Sequence, residues 1–241
     1  MSHAPVKVML GLPCADHKMY TEVVASIIAI MAASAGTVVP FWLNGNSNVC
    51  AARNLVAHYF LYSTDYDTLF FWDNDIVASA QDFAYMMEGD EQVVIAPYAR
   101  KEMGREPVGF GMGFCRIHRS VFDTLNDWTS EEGEDVLGRY YQTEMPSPIA
   151  THFFYTGPSP EARWYGEDTG FWHFCARNQI TQRLEHRTRL GHIGLHKYGY
   201  PDQVPSHTAP TRGAQAYPRW VDPMPPEAVE RELPPAADEF I

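Results

Sequence analysis

The sequence predicts an α/β domain: a central, mostly parallel sheet with helices on both faces. Short runs rich in β-branched and aromatic residues recur at 6–12, 37–43, 68–72 and 92–96. The stretches between them carry helical apolar spacing, and strands that alternate with helices pair in parallel through crossovers. At 241 residues the chain can fill one sizeable domain, whereas two full domains would each be small. The expected division is therefore a domain over 1–200 and a tail over 201–241, where nine prolines disfavour a packed unit.

Taken in order, 6–12 reads as the first strand and Gly11-Leu12-Pro13 as its exit. A helix over 20–35 follows, closed near Gly36. Its apolar stretch, Val23 to Ala33, is too short to span a bilayer, which takes about 20 such residues, so it reads as a buried helix. After the strand at 37–43, Ser47 is positioned to cap a helix running to about Tyr62. Val49, Ala52, Val56, Tyr59 and Phe60 fall on one face of that helix. The strands at 68–72 and 92–96 flank a short helix. Beyond Tyr98 the pattern loosens. Gly109, Gly111 and Gly113 alternate within 108–117, ahead of a helix over 120–125, and the acidic, poorly periodic 127–147 reads as a surface loop or lid. A helix over 167–179 and a last strand over 183–190 complete the domain.

Composition narrows the function. A formal charge of −12 disfavours a broad phosphate-tracking surface. Cys14, Cys50, Cys115 and Cys175 lie far apart with no Cys-x-x-Cys, which excludes zinc-finger and redox motifs and leaves buried, reduced thiols. Pro5, Lys7 and Pro13 interrupt the first apolar stretch, so no secretory signal is read there, and the expected location is the cytoplasm.

The most informative residues are Asp73 and Asp75, at the end of Leu69-Phe70-Phe71-Trp72. In extended backbone, residues two apart share a face, so both carboxylates converge where the strand leaves the sheet. Ligands of such sheets collect beyond the carboxyl ends of the strands. Two hard oxygen ligands there suit Mg²⁺ or Mn²⁺ carrying a diphosphate. The plainer reading is a turn capped by Asp and Asn. The alternating glycines lack the Gly-x-Gly-x-x-Gly spacing of a nucleotide fingerprint and read instead as positions where backbone approaches a sugar closely.

Ala52-Arg53-Asn54-Leu55-Val56, then Leu69 to Ile76, Gly109 to Phe114, Gly166-Glu167-Asp168 and Gly191-His192-Ile193-Gly194 follow one another in this order. Together they resemble the landmarks of GT-A-fold glycosyltransferases, over roughly residues 5–200, and most of all the compact, family-2-like enzymes of bacteriophage and bacterial genomes. The resemblance implies a Rossmann-like GT-A sheet and transfer of a sugar from a nucleoside-diphosphate donor to an acceptor hydroxyl, with Mn²⁺ or Mg²⁺ as cofactor. It makes Asp75 a direct metal ligand and gives Asp73 the ribose or metal-bound water. Arg53 and Asn54 line the donor cleft, with Gly111 close to the sugar. Asp168 is the first candidate for the base that takes the acceptor proton and Glu167 the second. Acidic residues at a helix start are also stabilising in their own right. His192, or else His196, closes the metal site, with Lys197 and Tyr198 beside the diphosphate. Inversion is the implied outcome. Polysaccharide, lipid-linked sugar, protein and modified nucleobases in DNA are the acceptor classes, DNA being disfavoured by charge. The alternatives are a sugar nucleotidyltransferase, weakened by Gly-Leu-Pro-Cys-Ala-Asp-His-Lys where a basic phosphate loop is expected, and a non-catalytic binding module of the same fold.

Overall fold

The computed structural model describes residues 6–98, 111–132, 152–158, 164–194 and 197–198, and of 126–132, 158, 197 and 198 the backbone only. The chain divides into Met1–Pro205 and Ser206–Ile241, and every described residue belongs to the first unit. The expected tail over 201–241, the loop over 127–147 from residue 133 onward, Gly109 and His196 lie outside the described residues.

Strands β1 (Val8–Cys14), β2 (Val38–Asn44), β3 (Thr68–Trp72), β5 (Val93–Ile95), β6 (Phe114–His118) and β9 (Gln182–Leu184) form one sheet in the order β2-β1-β3-β6-β5-β9. β1 runs parallel to β2 and to β3, and β5 parallel to β9; β6 alone is reversed, antiparallel to β3 and β5. The mostly parallel α/β sheet read from the sequence is therefore the observed one, with one strand inserted that the periodicity did not reveal. Residues 114–118 read Phe-Cys-Arg-Ile-His, and a charge in mid-run looks unlike a central strand. Arg116 is nevertheless buried, because its guanidinium donates to the carbonyls of Glu88, Gly89 and Glu91.

Alternation along the strands sends side chains to two separate cores. Met9, Leu69, Phe71, Cys115 and Ile117 pack with Val56, Phe60, Phe122 and Phe171 of helices α2 (Val49–Ser63), α4 (Arg119–Glu132) and α5 (Glu167–Arg177). Val8, Leu10, Leu12, Phe70, Trp72 and Phe114 pack with Val23, Ile27 and Ile30 of α1 (Thr21–Ala33) and with Phe83 and Met86 of α3 (Ala80–Met87). Fully burying one such side chain contributes about 1.5–3 kcal/mol, which makes these two layers the main source of stability. All four cysteines are buried and free. Among the described residues no helix is long and apolar enough to cross a membrane.

Several local expectations are corrected. α2 is capped by Asn48, whose side chain accepts from the Ala51 N–H at 3.1 Å, and not by Ser47. Ala52, Val56 and Phe60 of its apolar face are buried, but Val49 is 38% and Tyr59 43% exposed. Tyr59 overhangs the edge strand and stacks on Phe41 with ring centroids 4.1 Å apart. Residues 127–132 continue α4, so helix replaces the start of the expected loop. The last strand stops at Leu184 because Glu185 leaves the sheet. Its carboxylate takes Arg183, the backbone N–H of Arg187 at 2.9 Å and the Arg187 guanidinium at 2.6 Å. α1 does end near Gly36, whose φ of 84° is the left-handed backbone that glycine adopts without strain.

Strands β7 (Gly157–Pro158) and β8 (Trp164–Tyr165) form an antiparallel pair, and after Glu185 the chain forms β10 (Gly191–Ile193), which pairs with β4 (Ile76–Val77) and β11 (Lys197–Tyr198) in a small antiparallel sheet of order β11-β10-β4. This sheet brings the Gly-His-Ile segment against the turn that carries the two aspartates.

Candidate functional site

The Asp73-Asn74-Asp75 turn follows directly from β3 and is held on three sides. The Trp72 indole N–H donates to the Ile76 carbonyl at 2.7 Å, closing the turn from inside. The Asn74 amide donates to the Lys18 carbonyl at 2.8 Å, which ties it to the loop after β1. Asp73 N–H donates to the Gly113 carbonyl at 2.9 Å, and Ile193 N–H to the Asp75 carbonyl at 2.8 Å. The carboxylates thus project from a turn whose backbone is tied to Gly113, Tyr20 and Ile193. That is what a site on a rigid scaffold needs.

The two aspartates face different partners. Arg53, on the inner face of α2 and 2% exposed, donates from Nη2 to both Asp73 oxygens at 3.1 and 3.2 Å. Its Nη1 reaches the Met112 carbonyl at 3.4 Å, and its guanidinium lies 5.3 Å from the centre of the Phe71 ring. Among the described residues its buried Nε has no hydrogen-bond acceptor, and it stands 3.8 Å from Oε1 of Glu167 in the first turn of α5. Burial works against this cation, but Asp73 and Glu167 together hold it charged. A buried guanidinium between two carboxylates is the arrangement in which an internal charge is tolerated. Asp75 instead meets His192 of β10, Oδ1 to Nε2 3.5 Å.

Glu167 and Asp168 also differ. Burial pushes the Glu167 carboxyl up against the pull of Arg53, and Asp168 adds to the rise. Asp168 turns back on its own helix start, where Oδ1 accepts the Thr169 N–H at 2.6 Å. Of the two, Glu167 is the one bound into the Arg53–Asp73 line.

Two expected donor residues take other positions. Asn54 is buried, with Nδ2 donating to the Phe154 carbonyl at 2.7 Å and Oδ1 accepting the Phe154 N–H at 3.1 Å. Its amide is spent on pinning 152–158 to α2. Gly111 and Gly113 serve Tyr98. A Cβ at Gly111 would lie 2.1 Å from the Tyr98 Oη, and one at Gly113 would lie 2.6 Å from Oη and 2.9 Å from the Asp73 Oδ2. Glycine is needed there because a phenol occupies the space. Of Lys197 and Tyr198 the backbone alone is described: they pair with Ile193 and His192, which puts them on the strand beside the histidine.

Tyr98 itself went unnoticed in the sequence, where it stands as one aromatic among many. Its hydroxyl accepts the Gly113 N–H at 3.2 Å and its ring meets His192 edge-on at 5.2 Å. Burial, reinforced by Asp73, holds the phenol well above its ordinary range, so it stays protonated at neutral pH. The alternating glycines ahead of a strand were the available signal, since glycines so spaced mark a close approach of some kind.

The donor chemistry fits a divalent ion only in part. Asp75 and His192 supply an oxygen and an imidazole nitrogen side by side. Among the described residues no three His, Cys, Asp or Glu side chains gather closely enough to hold an ion unaided. Mg²⁺ and Mn²⁺ in phosphate-handling sites commonly take one or two protein ligands and complete their shell with phosphate oxygens and water, so a two-residue contribution suits that use. A cleft of about 490 Å³, lined among others by Ser79, Tyr85, Arg187 and Arg189, does not coincide with this cluster. Its arginines are engaged, Arg187 with Glu88 and Glu185 and Arg189 with the His186 and Thr188 carbonyls.

No protein-family model and no curated protein matches the chain. Among solved structures it is similar to A197 from STIV, at 16% identity and a TM-score of 0.48 over 87% of this chain and all of that one. It is also similar to the catalytic domain of Drosophila β1,4-galactosyltransferase 7 in complex with xylobiose, at 15% identity and a TM-score of 0.47 over 82% of this chain and 69% of that one. A mutant of the same Drosophila enzyme, solved with manganese, UDP-Gal and xylobiose, gives 14% and 0.46 over 75% of this chain and 65% of that one. The structural neighbours thus include glycosyltransferases. Likenesses of this size leave the functional reading to rest on the side chains of the site.

Proposed function

We propose that the chain is a divalent-metal-dependent glycosyltransferase of GT-A type that takes a nucleoside-diphosphate sugar as donor and a hydroxyl as acceptor. One observation carries the reading. Asp75 at the end of a central strand and His192 more than a hundred residues later meet at 3.5 Å, beside a buried Arg53 that links Asp73 to Glu167. A structural turn needs none of this, whereas a site for a metal-bound diphosphate next to a carboxylate base needs all of it.

In this reading Asp75 and His192 hold Mn²⁺ or Mg²⁺, which when bound neutralises the charge of the departing diphosphate. Arg53 fixes the Asp73 carboxylate in one orientation, ready to accept from ribose or from water. Glu167 or Asp168 takes the proton of the acceptor hydroxyl as its oxygen bonds to the anomeric carbon, and the bond electrons leave with the diphosphate. Burial raises the Glu167 carboxyl and favours it as the base, while Arg53, 3.8 Å away, opposes its protonation and keeps Asp168 as the alternative. A single displacement of this kind inverts the anomeric centre, so the anomeric proton signal of the first product carries the opposite configuration to the donor.

The test is slow hydrolysis of nucleotide sugars in the absence of acceptor, compared between wild type and Asp75→Ala. Wild type releases sugar from one donor in a Mn²⁺-dependent manner and Asp75→Ala loses both the release and its metal dependence. Unchanged release in the variant sinks the assignment.

A further inference from the structure

Tyr98 has a hydroxyl whose environment goes beyond what packing requires. A phenol can donate one hydrogen bond and accept others. The Tyr98 Oη accepts the Gly113 N–H at 3.2 Å, and among the described residues no hydrogen bond takes its proton. The Asp73 carboxylate, which borders Gly113 as the hydroxyl does, is held by Arg53 through both oxygens. A half-buried tyrosine ordinarily finds a partner for its O–H.

The surroundings show which partner fits. A methyl group placed on Gly113 would touch the Tyr98 Oη and Asp73 Oδ2 at once, at 2.6 and 2.9 Å, so the hydroxyl and the first aspartate border the same small volume. The tyrosine ring meets the imidazole of His192 edge-on, and that imidazole faces Asp75. The hydroxyl therefore stands beside Asp73 while its ring adjoins the Asp75–His192 pair that suits a divalent ion. An anionic oxygen is the acceptor that both a neutral O–H and a cation attract. The hydroxyl's acceptor side already serves the Gly113 N–H; its donor side is what a ligand would take.

Resting on the nucleotide-sugar reading above, we infer that Tyr98 is a donor-binding residue whose hydroxyl hydrogen-bonds the distal phosphate of the nucleoside diphosphate while its ring holds His192 in place. Gly111 and Gly113 are small so that this phenol can reach the phosphate.

Titration calorimetry of the full chain with Mn²⁺ tests it, using nucleoside diphosphates and the matching monophosphates on wild type and Tyr98→Phe. A hydrogen bond to a charged group corresponds to a loss of about tenfold or more in affinity. The expected result is that loss for the diphosphate alone, with monophosphate affinity changed by less than about twofold and only a modest fall in melting temperature from the Gly113 N–H left without its acceptor. Should Tyr98→Phe fold poorly, Gly111→Ala displaces the phenol from the other side, since its Cβ would meet Oη at 2.1 Å, and the same diphosphate-selective loss is expected. Equal affinity of wild type and variant for the diphosphate, or an equal loss for both nucleotides, overturns the inference while leaving the donor site intact. Wild type that binds no nucleoside diphosphate overturns the donor reading and this inference with it.

Discussion

Replacing Arg53 by methionine removes the cation that two carboxylates share and keeps most of the side-chain volume. Arg53 is almost completely buried, with Asp73 at 3.1 Å and Glu167 at 3.8 Å, and the carboxylate side chains are 27% and 19% exposed. Taking one partner from a buried ion pair costs about 3–5 kcal/mol, because the charges left behind are neither paired nor hydrated. Here both anions keep some access to water, so the lower end applies. For a domain of this size about 3 kcal/mol corresponds to a fall of roughly 6–12 °C in melting temperature. Urea unfolding followed by circular dichroism at pH 7 measures it. Because the groups touch, the effects should not add: Arg53→Met combined with Glu167→Gln recovers part of the loss. A loss of less than about 1 kcal/mol, the size expected of an exposed pair, or strict additivity of the two substitutions, would refute the shared-cation account.

Three further outcomes follow from the same geometry. The Glu167 carboxyl is pushed up by burial, so as the base it is ionised only above the usual glutamate range near 4.3. The acid limb of the transfer rate then lies above that value and disappears in Glu167→Gln, whereas disappearance only in Asp168→Asn makes Asp168 the base. Asn54→Ala deletes both hydrogen bonds to Phe154 and lowers stability by about 2–4 kcal/mol, while nucleotide affinity at 10 °C stays within about twofold. A large loss of affinity without loss of stability would return Asn54 to the donor cleft. Glu185, hydrogen-bonded by Arg187 and Arg183, titrates at about 2 in the fold against an ordinary 4.5. Since the folded value is the lower, its stabilisation is present above pH 4.5 and is lost as pH falls toward 2. It amounts to on the order of 2–3 kcal/mol after allowing for the half-exposed Arg187, and urea titrations of Glu185→Gln at pH 6 and pH 3 show a correspondingly smaller drop than wild type.

How far the sequence reveals this protein depends on the range of the forces involved. β3 was legible to the residue because Thr68 to Trp72 is an unbroken apolar run ended by Asp73, a pattern set by burial on both faces. The end of β3 was legible for the same reason, but the expected extended convergence of Asp73 and Asp75 is not found: a turn at 74–75 sends Asp73 to Arg53 and Asp75 to His192. β6 was not, because its buried Arg116 is satisfied by three carbonyls of a loop more than twenty residues away. Tyr98 was missed on similar grounds: its significance lies in which glycines it touches, and Gly111 and Gly113 signalled closeness without naming the neighbour. Asn54 shows the reverse error. An Arg-Asn pair on a helix reads as one functional unit, yet successive helical residues point about 100° apart, so Arg53 turns to Asp73 while Asn54 turns to Phe154.

The central claim is that Asp75 and His192 form one end of a metal-dependent nucleotide site. Thermal stability against a panel of nucleoside diphosphates, each with Mn²⁺ and with a chelator, tests it most directly. One base should raise the melting temperature in the presence of Mn²⁺ alone, by roughly 5–10 °C at a hundred times the dissociation constant, and Asp75→Ala should abolish the rise. A flat response to every nucleotide, or a rise that survives both the chelator and Asp75→Ala, would contradict the account.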